Sequence, residues 1–225
     1  MTNGFPDGYY DEPRPEVVAR VPADARFVID VGCASGALGR ALKSARPGIQ
    51  VRGIEPVAEQ AERAQQFLDD VYVGTADDPL PSHWPVPDCV IFADVLEHLV
   101  DPWTTVRRFR AILGQGGTLV ASIPNVANKA VLGALLRHRW DYASHGILDR
   151  THLRFFTRET ALEMFEQADF AIRSVGRVME GLGTKPLGRF VHQLIDRENG
   201  RERLYKGPLA SVLDAYTVQF LIEAE

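Results

Sequence analysis

Gly32 and Gly36 follow a run of β-branched residues in VIDVGCASGALGRAL, residues 28–42. Glycine has no Cβ atom and tolerates backbone angles that other residues avoid, so a ligand can approach the chain closely at such a turn. A dinucleotide fingerprint would require glycine at 34 and 37, where this chain has alanine, and a P-loop would require lysine followed by serine or threonine. The segment therefore predicts a strand, a ligand-binding turn and a helix. The alternative is a turn that only packs helix against strand.

Three carboxylates follow the next two predicted strands. Glu55 ends the second strand, 23 positions after Gly32, near the interval at which nucleotide-binding α/β folds present an acid to ribose hydroxyls. Its two oxygens can accept from two hydroxyl groups. Asp77 and Asp78 follow the third strand, and one of them, with Asp77 preferred, could accept from an adenine amino group. The alternatives are an incidental glutamate and two aspartates that only solvate a turn.

Tyr10 and Arg14 lie in an N-terminal segment rich in glycine, proline and acidic residues. A tyrosine beside an arginine could cover a bound cofactor, with Arg14 meeting a carboxylate of the cofactor in a charge-assisted pair. Pro15 suits the first turn of a short helix. Surface packing of that helix is therefore the alternative interpretation.

Two histidines, His145 and His152, lie in an aromatic and charged segment at 140–157. So many titratable groups beside a sheet edge predict a substrate wall. Histidine has the acidity of a general base, and Asp149, three residues before His152, could orient it. We predict His152 as the first candidate base and His145 as the second, with a turn that faces no substrate as the alternative. The histidines and acids have no tight ligand spacing, so no metal site is predicted.

Strand and helix patterns alternate from 27 to 123 and predict a doubly wound α/β sheet with right-handed crossovers. An amphipathic helix at 128–139 is interpreted first as an ordinary cover of the core, and the alternatives are that it covers the active site, packs a homodimer or touches lipid. The length of 225 residues suits one domain. Its predicted parts are an N-terminal arm and helix at 1–26, a cofactor-binding core at 27–125, a substrate-side insertion at 126–156 and a C-terminal part of the sheet at 157–225.

The composition, 45% hydrophobic and 24% charged, is typical of a globular protein. A formal charge of −5 disfavours nucleic acid and anionic membranes as partners. Cys33 and Cys89 lie in or beside predicted strands, which predicts reduced, buried thiols. The chain has no basic start and no uninterrupted apolar stretch near 18 residues, so we expect a cytoplasmic protein without a transmembrane segment.

Five segments, VIDVGCASG, GIEP, GTADD, FADVLEHLVDP and LGQGGTLVASIPN, occur in the order and spacing of class I methyltransferases and cover residues 27–125. The chain resembles that family, which implies S-adenosylmethionine as cofactor and a Rossmann-like, seven-stranded sheet, mostly parallel with an antiparallel last strand. The cofactor contacts that this resemblance implies are Asp30 and Gly32 at the methionine portion, Cys33 and Gly36 in the same turn, Glu55 at the ribose, Ala76 and Asp77 at the adenine, and Asp94 and Leu96 near the sulfonium.

The end of the fourth strand narrows the predicted reaction. Methyltransferases that act on amino groups of bases or on glutamine often carry Asn-Pro-Pro-Tyr there, whereas this chain has Ala-Asp-Val-Leu at 93–96. This difference disfavours a methyltransferase that acts on the amino group of a base or on glutamine. His98, two positions further on, is interpreted as a capping or packing residue, with a catalytic group as the alternative.

The segment GILDRTHLRFFT, residues 146–157, is similar to a subgroup of class I methyltransferases associated with polysaccharide or glycoconjugate biosynthesis. This resemblance implies O-methylation of a hydroxyl on a sugar, nucleotide-sugar or glycoconjugate acceptor. Two alternatives stay open. One is a small-molecule methyltransferase of quinone or secondary-metabolite type, and the other is a non-catalytic cofactor-binding module in a glycan assembly complex.

Overall fold

The computed structural model describes residues 11–179 and 213–225, which form one seven-stranded sheet with helices on both faces. The strands are β1 (Phe27–Val31), β2 (Gln50–Glu55), β3 (Asp70–Val73), β4 (Cys89–Ala93), β5 (Thr118–Pro124), β6 (Ile172–Met179) and β7 (Thr217–Ala224). The main helices are α1 (Pro15–Val18), α2 (Ala37–Ala45), α3 (Ala58–Ala64), α4 (Pro102–Ile112), α5 (Lys129–Leu135) and α6 (Arg158–Glu166), with a 3₁₀ turn at Leu96–His98.

The strand order is β3-β2-β1-β4-β5-β7-β6. The first five strands pair in parallel, and β7 runs antiparallel to both β5 and β6. The prediction of a mostly parallel, seven-stranded α/β sheet with an antiparallel last strand is confirmed.

Strand β1 lies in the interior of the sheet, between β2 and β4. Its sequence, FVIDV, can be buried on both faces, and all five residues are buried. The chain leaves β1 towards β2 and β3 on one side and later returns to β4 on the other. This reversal is a topological switch point, where a crevice opens beyond the carboxyl ends of the strands. The turn at Gly32, which follows β1, is thereby placed at the mouth of that crevice.

Two apolar layers hold the helices against the sheet. In one layer Phe92, Phe109 and Phe165 are fully buried, and in the other Leu42 of α2 packs with Val51 of β2. Burying a large apolar side chain contributes about 1.5–3 kcal/mol. The two layers therefore fix the strand ends that carry the site.

Helix α5 is shorter than the periodicity at 128–139 predicts. Asn128 caps it by accepting from the Ala130 N–H at 2.9 Å, and the chain turns into the left-handed region at His138, with φ of 58°, which ends helices. Val131 is buried, whereas the side chains of Leu132, Leu135 and Leu136 are exposed. Within residues 11–179 and 213–225, no helix is both long enough and apolar enough to cross a membrane.

Candidate functional site

A cavity of about 490 Å³ opens where the sequence predicts it, beyond the carboxyl ends of the central strands. Its wall combines the turn after β1, the ends of β2 and β4, the loop after β3 and part of the N-terminal segment. The charged side chains of this wall are Glu12, Arg14, Asp30, Glu55 and Asp94. Four carboxylates and one guanidinium suit a ligand with positive charge.

The turn after β1 exposes backbone to the cavity. Gly32 has φ of 70°, Gly36 has φ of 82°, and Ala34 between them also lies in the left-handed region at 48°. A Cβ atom on Gly32 would lie 2.7 Å from Cγ2 of Val95, which itself lines the cavity. Glycine is therefore required at 32 both by conformation and by space. Gly36 begins α2 and stands against α3, where a Cβ would lie 3.0 Å from the Ala64 Cα.

Glu55 holds this turn through both carboxylate oxygens. Oε2 accepts from the Ala34 N–H and Oε1 from the Val57 N–H, each at 2.9 Å. Burial raises the pKa of Glu55, and the two backbone donors partly oppose that rise. Each oxygen keeps a second lone pair for a hydroxyl donor. The carboxylate lines the cavity, which is the position that a ribose contact requires.

Asp30 is a buried carboxylate in the cavity wall, 2% exposed. Its Oδ2 atom has no hydrogen-bond partner among the described residues. Burial, reinforced by the neighbouring Glu55, raises its pKa from 3.8 to about 7. An unpartnered buried oxygen destabilises the folded protein unless a donor arrives. The ammonium of a methionine group is such a donor, so these residues fit S-adenosylmethionine.

This geometry predicts a pH-dependent stability difference between the protein and its Asp30→Asn variant. The pKa of Asp30 is raised in the folded state, so its contribution to stability is present below about pH 4 and is lost as pH rises towards 7. Asparagine does not titrate, so the variant should gain a few kcal/mol relative to wild type between pH 4.5 and 8, because each pKa unit corresponds to about 1.4 kcal/mol. Urea unfolding of wild type and Asp30→Asn at these two pH values measures the difference between their free energies of unfolding. A difference that stays constant with pH would contradict it.

The loop after β3 contributes backbone to the site. Gly74, Thr75 and Ala76 line the cavity. The Asp77 carboxylate instead accepts from the Thr105 hydroxyl of α4 at 3.0 Å, and Asp78 accepts from the Thr75 N–H at 2.7 Å. The structure thus directs Asp77 towards a helix rather than into the cavity wall, because α4 packs directly beneath this loop. Only the Ala76 part of the predicted adenine contact lies in the wall.

Arg14 lines the cavity but is already paired. Its guanidinium bonds the Asp94 carboxylate and the Glu16 carboxylate, the latter at 2.6 Å, and it donates to Gln219 of β7 at 3.0 Å. Asp94 lies in the left-handed region, with φ of 56°. The predicted pairing of Arg14 with a cofactor carboxylate would require it to share or exchange these partners. Tyr10, predicted to act with Arg14, lies outside the described residues.

Two further predicted cofactor contacts, Cys33 and Leu96, differ in whether they line the cavity. Cys33 lines the cavity as a buried thiol, and burial raises its pKa. Leu96 is fully buried in the apolar layer because the 3₁₀ turn directs it inward, whereas Val95 and Leu99 line the cavity. Leu96 is therefore a core residue, and the apolar wall near Asp94 is formed by its neighbours.

Among the described residues, His98 is the histidine in the cavity wall, although the sequence favoured capping or packing over a catalytic role. Its Nδ1 lies 3.3 Å from the Thr151 carbonyl oxygen, which favours a proton on Nδ1 and leaves the Nε2 lone pair free. Burial and the adjacent His152 lower its pKa below the ordinary 6.5. A neutral imidazole at this position can accept a proton near neutral pH.

His152 lies behind His98, with ring centroids 4.7 Å apart. It is buried, its Nδ1 is 3.0 Å from the Ile147 carbonyl oxygen, and it is not among the residues that line the described cavity. The Asp149 carboxylate accepts from the Thr151 N–H and hydroxyl at 2.8 and 2.7 Å. Thr151 thus uses only the Oδ1 atom of this carboxylate, and Oδ2 has no hydrogen-bond partner among the described residues. The orientation of the His152 ring by Asp149 stays a prediction. His145 is exposed and pairs with its neighbour Ser144.

Glu97 completes a buried cluster with the two histidines. It is 1% exposed, its carboxylate oxygens have no hydrogen-bond partner in the described part of the chain, and burial followed by the nearby Asp94 raises its pKa well above the usual range. Nitrogen and oxygen atoms of Glu97, His98 and His152 lie within 4.8 Å of one another. This combination could hold a metal ion, and linear spacing concealed it because His152 is distant in the sequence.

Comparison with known proteins agrees with this fold and cavity. A family model described as a methyltransferase domain matches residues 9–175. A ubiquinone biosynthesis O-methyltransferase from Alkalilimnicola ehrlichii is 30% identical over 174 residues, which cover 74% of this chain and 67% of that protein. The chain spans about half the length of other curated relatives that it matches.

Solved structures share the architecture. A possible histamine N-methyltransferase from Thermotoga maritima aligns with a TM-score of 0.62 and 18% identity, over 93% of this chain and 85% of that one. An O-methyltransferase from neocarzinostatin biosynthesis, solved with S-adenosyl-L-homocysteine and 1,4-dihydroxy-2-naphthoic acid, aligns with a TM-score of 0.58 and 18% identity, over 93% and 52%. From the family match, the sequence relative and the cavity together, the chain belongs to the class I S-adenosylmethionine-dependent methyltransferases.

Proposed function

We propose that this methyltransferase acts on a hydroxyl oxygen of a small, ring-bearing acceptor. The observation that carries the proposal is the position of His98 in the wall of the cofactor cavity, where burial lowers the pKa of its imidazole and favours the neutral form. A hydroxyl must lose its proton as its oxygen is methylated, and a positioned base accelerates such a step about 10²- to 10⁴-fold. Among the residues that the structure describes, His98 is the one histidine that lines this wall.

The chemistry divides between cofactor and protein. S-Adenosylmethionine, when bound, supplies a methyl group that is already activated by its sulfonium. Glu55, Asp30 and the backbone of the turn at Gly32 hold the cofactor, while Val95 and Leu99 exclude water from the apolar wall. Alignment of the reacting atoms can contribute about 7–11 kcal/mol in favourable cases. We assign proton removal to Nε2 of His98 and the positioning of its ring to His152.

For the acceptor, a phenol or quinol is our first proposal. The A. ehrlichii relative is named for ubiquinone biosynthesis, and the neocarzinostatin enzyme was solved with a dihydroxynaphthoic acid. The segment GILDRTHLRFFT supports the second candidate, a sugar, nucleotide-sugar or glycoconjugate hydroxyl. The relatives described above are not named for polysaccharide synthesis, so the sugar stays a separate prediction for the same assay.

The experiment incubates the protein with S-adenosylmethionine and three acceptor sets: catechols, methyl glycosides with nucleotide sugars, and primary amines. Formation of S-adenosylhomocysteine is measured, and the methylated product is identified by mass spectrometry. We expect turnover with catechols. Turnover only with glycosides would replace the first acceptor by the second, and turnover only with amines would contradict hydroxyl transfer. Cofactor binding without turnover in any set would favour the non-catalytic module.

A homodimer through α5 also stays a prediction. The exposed Leu132, Leu135 and Leu136 give this helix an apolar face that an equivalent helix could cover. Sedimentation equilibrium of wild type and Leu136→Glu tests it. A dimer that the variant dissociates supports the prediction, and a wild-type monomer removes it.

A further inference from the structure

We propose that Trp140, Tyr142 and Phe155 form an acceptor-binding platform for planar aromatic rings. This inference rests on the proposed function and names where the acceptor ring binds. The three side chains contact one another, with centroids 5.1 Å apart for Trp140 and Phe155 and 6.5 Å for each of the other two pairs. They lie in the segment between β5 and α6, which includes the Thr151 contact to His98.

The platform keeps aromatic surface available to a ligand. Tyr142 is 56% exposed, and Trp140 and Phe155 are partly exposed, although large aromatic side chains contribute most to stability when buried. Trp140 stands nearly perpendicular to Phe155, at 83°. Two perpendicular rings form a corner, so a flat ligand can stack on one of them while its edge meets the other. Aromatic pairs prefer these two arrangements.

A continuous series of rings connects the platform with the cofactor cavity. Phe155 lies 6.2 Å from His152 between ring centroids, and His152 lies 4.7 Å from His98, which lines the cavity. The platform therefore lies two ring contacts from the proposed base, with the buried His152 ring between Phe155 and His98. This proximity distinguishes the cluster from an isolated exposed aromatic group.

Backbone hydrogen bonds hold the platform in place. The Leu153 and Arg154 N–H groups both donate to the Glu97 carbonyl oxygen, at 2.8 and 3.0 Å. Within the loop, the Ala143 N–H donates to the Leu148 carbonyl oxygen at 2.9 Å. A site that is ordered before binding loses less conformational entropy when the ligand arrives. The rings are thus presented by a defined loop rather than by an open chain.

The charge beside the platform agrees with a neutral ring rather than an anion. The Arg139 guanidinium donates to the Asp141 carboxylate from Nε at 2.6 Å and from a terminal nitrogen at 2.9 Å, so the two charges next to Trp140 compensate each other. Neither is left to select a charged acceptor. Recognition on this face therefore depends on ring stacking.

Calorimetric titration of the protein saturated with S-adenosylhomocysteine tests the platform without requiring turnover. The probe is 2,3-dihydroxynaphthalene, and methyl α-glucoside is the comparison ligand. We expect Trp140→Ala and Phe155→Ala to weaken probe binding about 3- to 10-fold, as loss of an aromatic pair implies, and Trp140→Phe to retain most of it. The control is Phe67→Ala, which removes a half-buried ring packed in the other apolar layer. It should leave probe binding unchanged.

The outcomes separate the platform from the proposed function. Unchanged probe affinity in both platform variants, absence of probe binding by wild type, or a preference for methyl α-glucoside would overturn the platform. Hydroxyl methylation could still be measured in each of these cases. An equal loss in Phe67→Ala, or a parallel loss of S-adenosylhomocysteine binding in Trp140→Ala, would also overturn it by showing a general structural effect. Failure of wild type to bind S-adenosylhomocysteine would count against the function itself.

Discussion

His98→Ala is expected to reduce the rate of methyl transfer about 10²- to 10⁴-fold, the usual contribution of a general base, with an acceptor found in the three-set assay. Affinity for S-adenosylmethionine should stay within a few fold, because the cofactor contacts are proposed at Glu55 and Asp30 instead. The measurement is the single-turnover rate at saturating cofactor. Retention of the full rate in this variant would contradict the base assignment.

The pH dependence of the same rate gives a second readout. A base must be unprotonated, and the pKa of His98 is lowered by burial and by His152, against opposing effects of Asp149 and Asp94. The rate should therefore rise with pH, and the midpoint of the rise should lie below the ordinary histidine value of 6.5. His152→Gln removes one of the lowering effects, so the rise should move to higher pH with a smaller loss of rate.

Two controls separate this account from other roles of the cluster. His145→Ala should leave the rate unchanged, because His145 is exposed and pairs with Ser144. A loss in His152→Ala combined with full activity in His98→Ala would restore His152 as the base. Activity that EDTA abolishes and Mg²⁺ restores would instead assign Glu97, His98 and His152 to a metal ion.

Glu55→Ala is expected to weaken S-adenosylmethionine binding about 10²- to 10⁴-fold. Hydrogen bonds to a charged group are worth about 1.5–3 kcal/mol each, and the carboxylate is positioned for two ribose hydroxyls while it also holds the Ala34 N–H. The matched control is Glu59→Ala, an exposed glutamate at the start of α3. It should bind the cofactor as wild type does.

A deoxy ligand tests whether Glu55 acts at the ribose. Wild type should bind 5′-methylthioadenosine more tightly than its 2′-deoxy analogue, and Glu55→Ala should no longer distinguish the two. Circular dichroism should show that the variant is folded, because Ala34 and Val57 lose their acceptor. Equal discrimination in both proteins would place Glu55 in a purely structural role.

The sheet and the cofactor turn could be predicted because their determinants are local in sequence. A β-branched run such as Val28 to Val31 can be buried on both faces, and glycine at 32 is dictated by the turn that follows it. The interval between Gly32 and Glu55 reflects one strand–helix–strand unit. Each of these signals lies within a few residues of the structure that it determines.

The substrate side could not be predicted in the same way, because its contacts join residues distant in sequence. The Glu97 carbonyl oxygen binds the backbone at 153 and 154, and this pairing brings His152 behind His98. Nothing in the local pattern of His98 indicates that neighbour. Arg14 likewise bonds Asp94, which is 80 residues away in the sequence.

The sequence also does not show which side chains of a short irregular segment point into the core and which point to the cavity. Leu96 lies in a 3₁₀ turn, whose geometry directs it into the core while Val95 faces the cavity. Asp77 was predicted from its place after β3, but its partner is Thr105 on a helix from further along the chain. Helical or strand periodicity does not extend into such segments.

The most direct test of the central claim is calorimetric titration of the folded wild-type protein with S-adenosylmethionine and S-adenosylhomocysteine. We predict saturable binding of each ligand at one site per chain, in the micromolar range. Absence of binding by both ligands would contradict the assignment of the cavity beyond β1, β2 and β4 as a cofactor site, and with it the proposed methyl transfer.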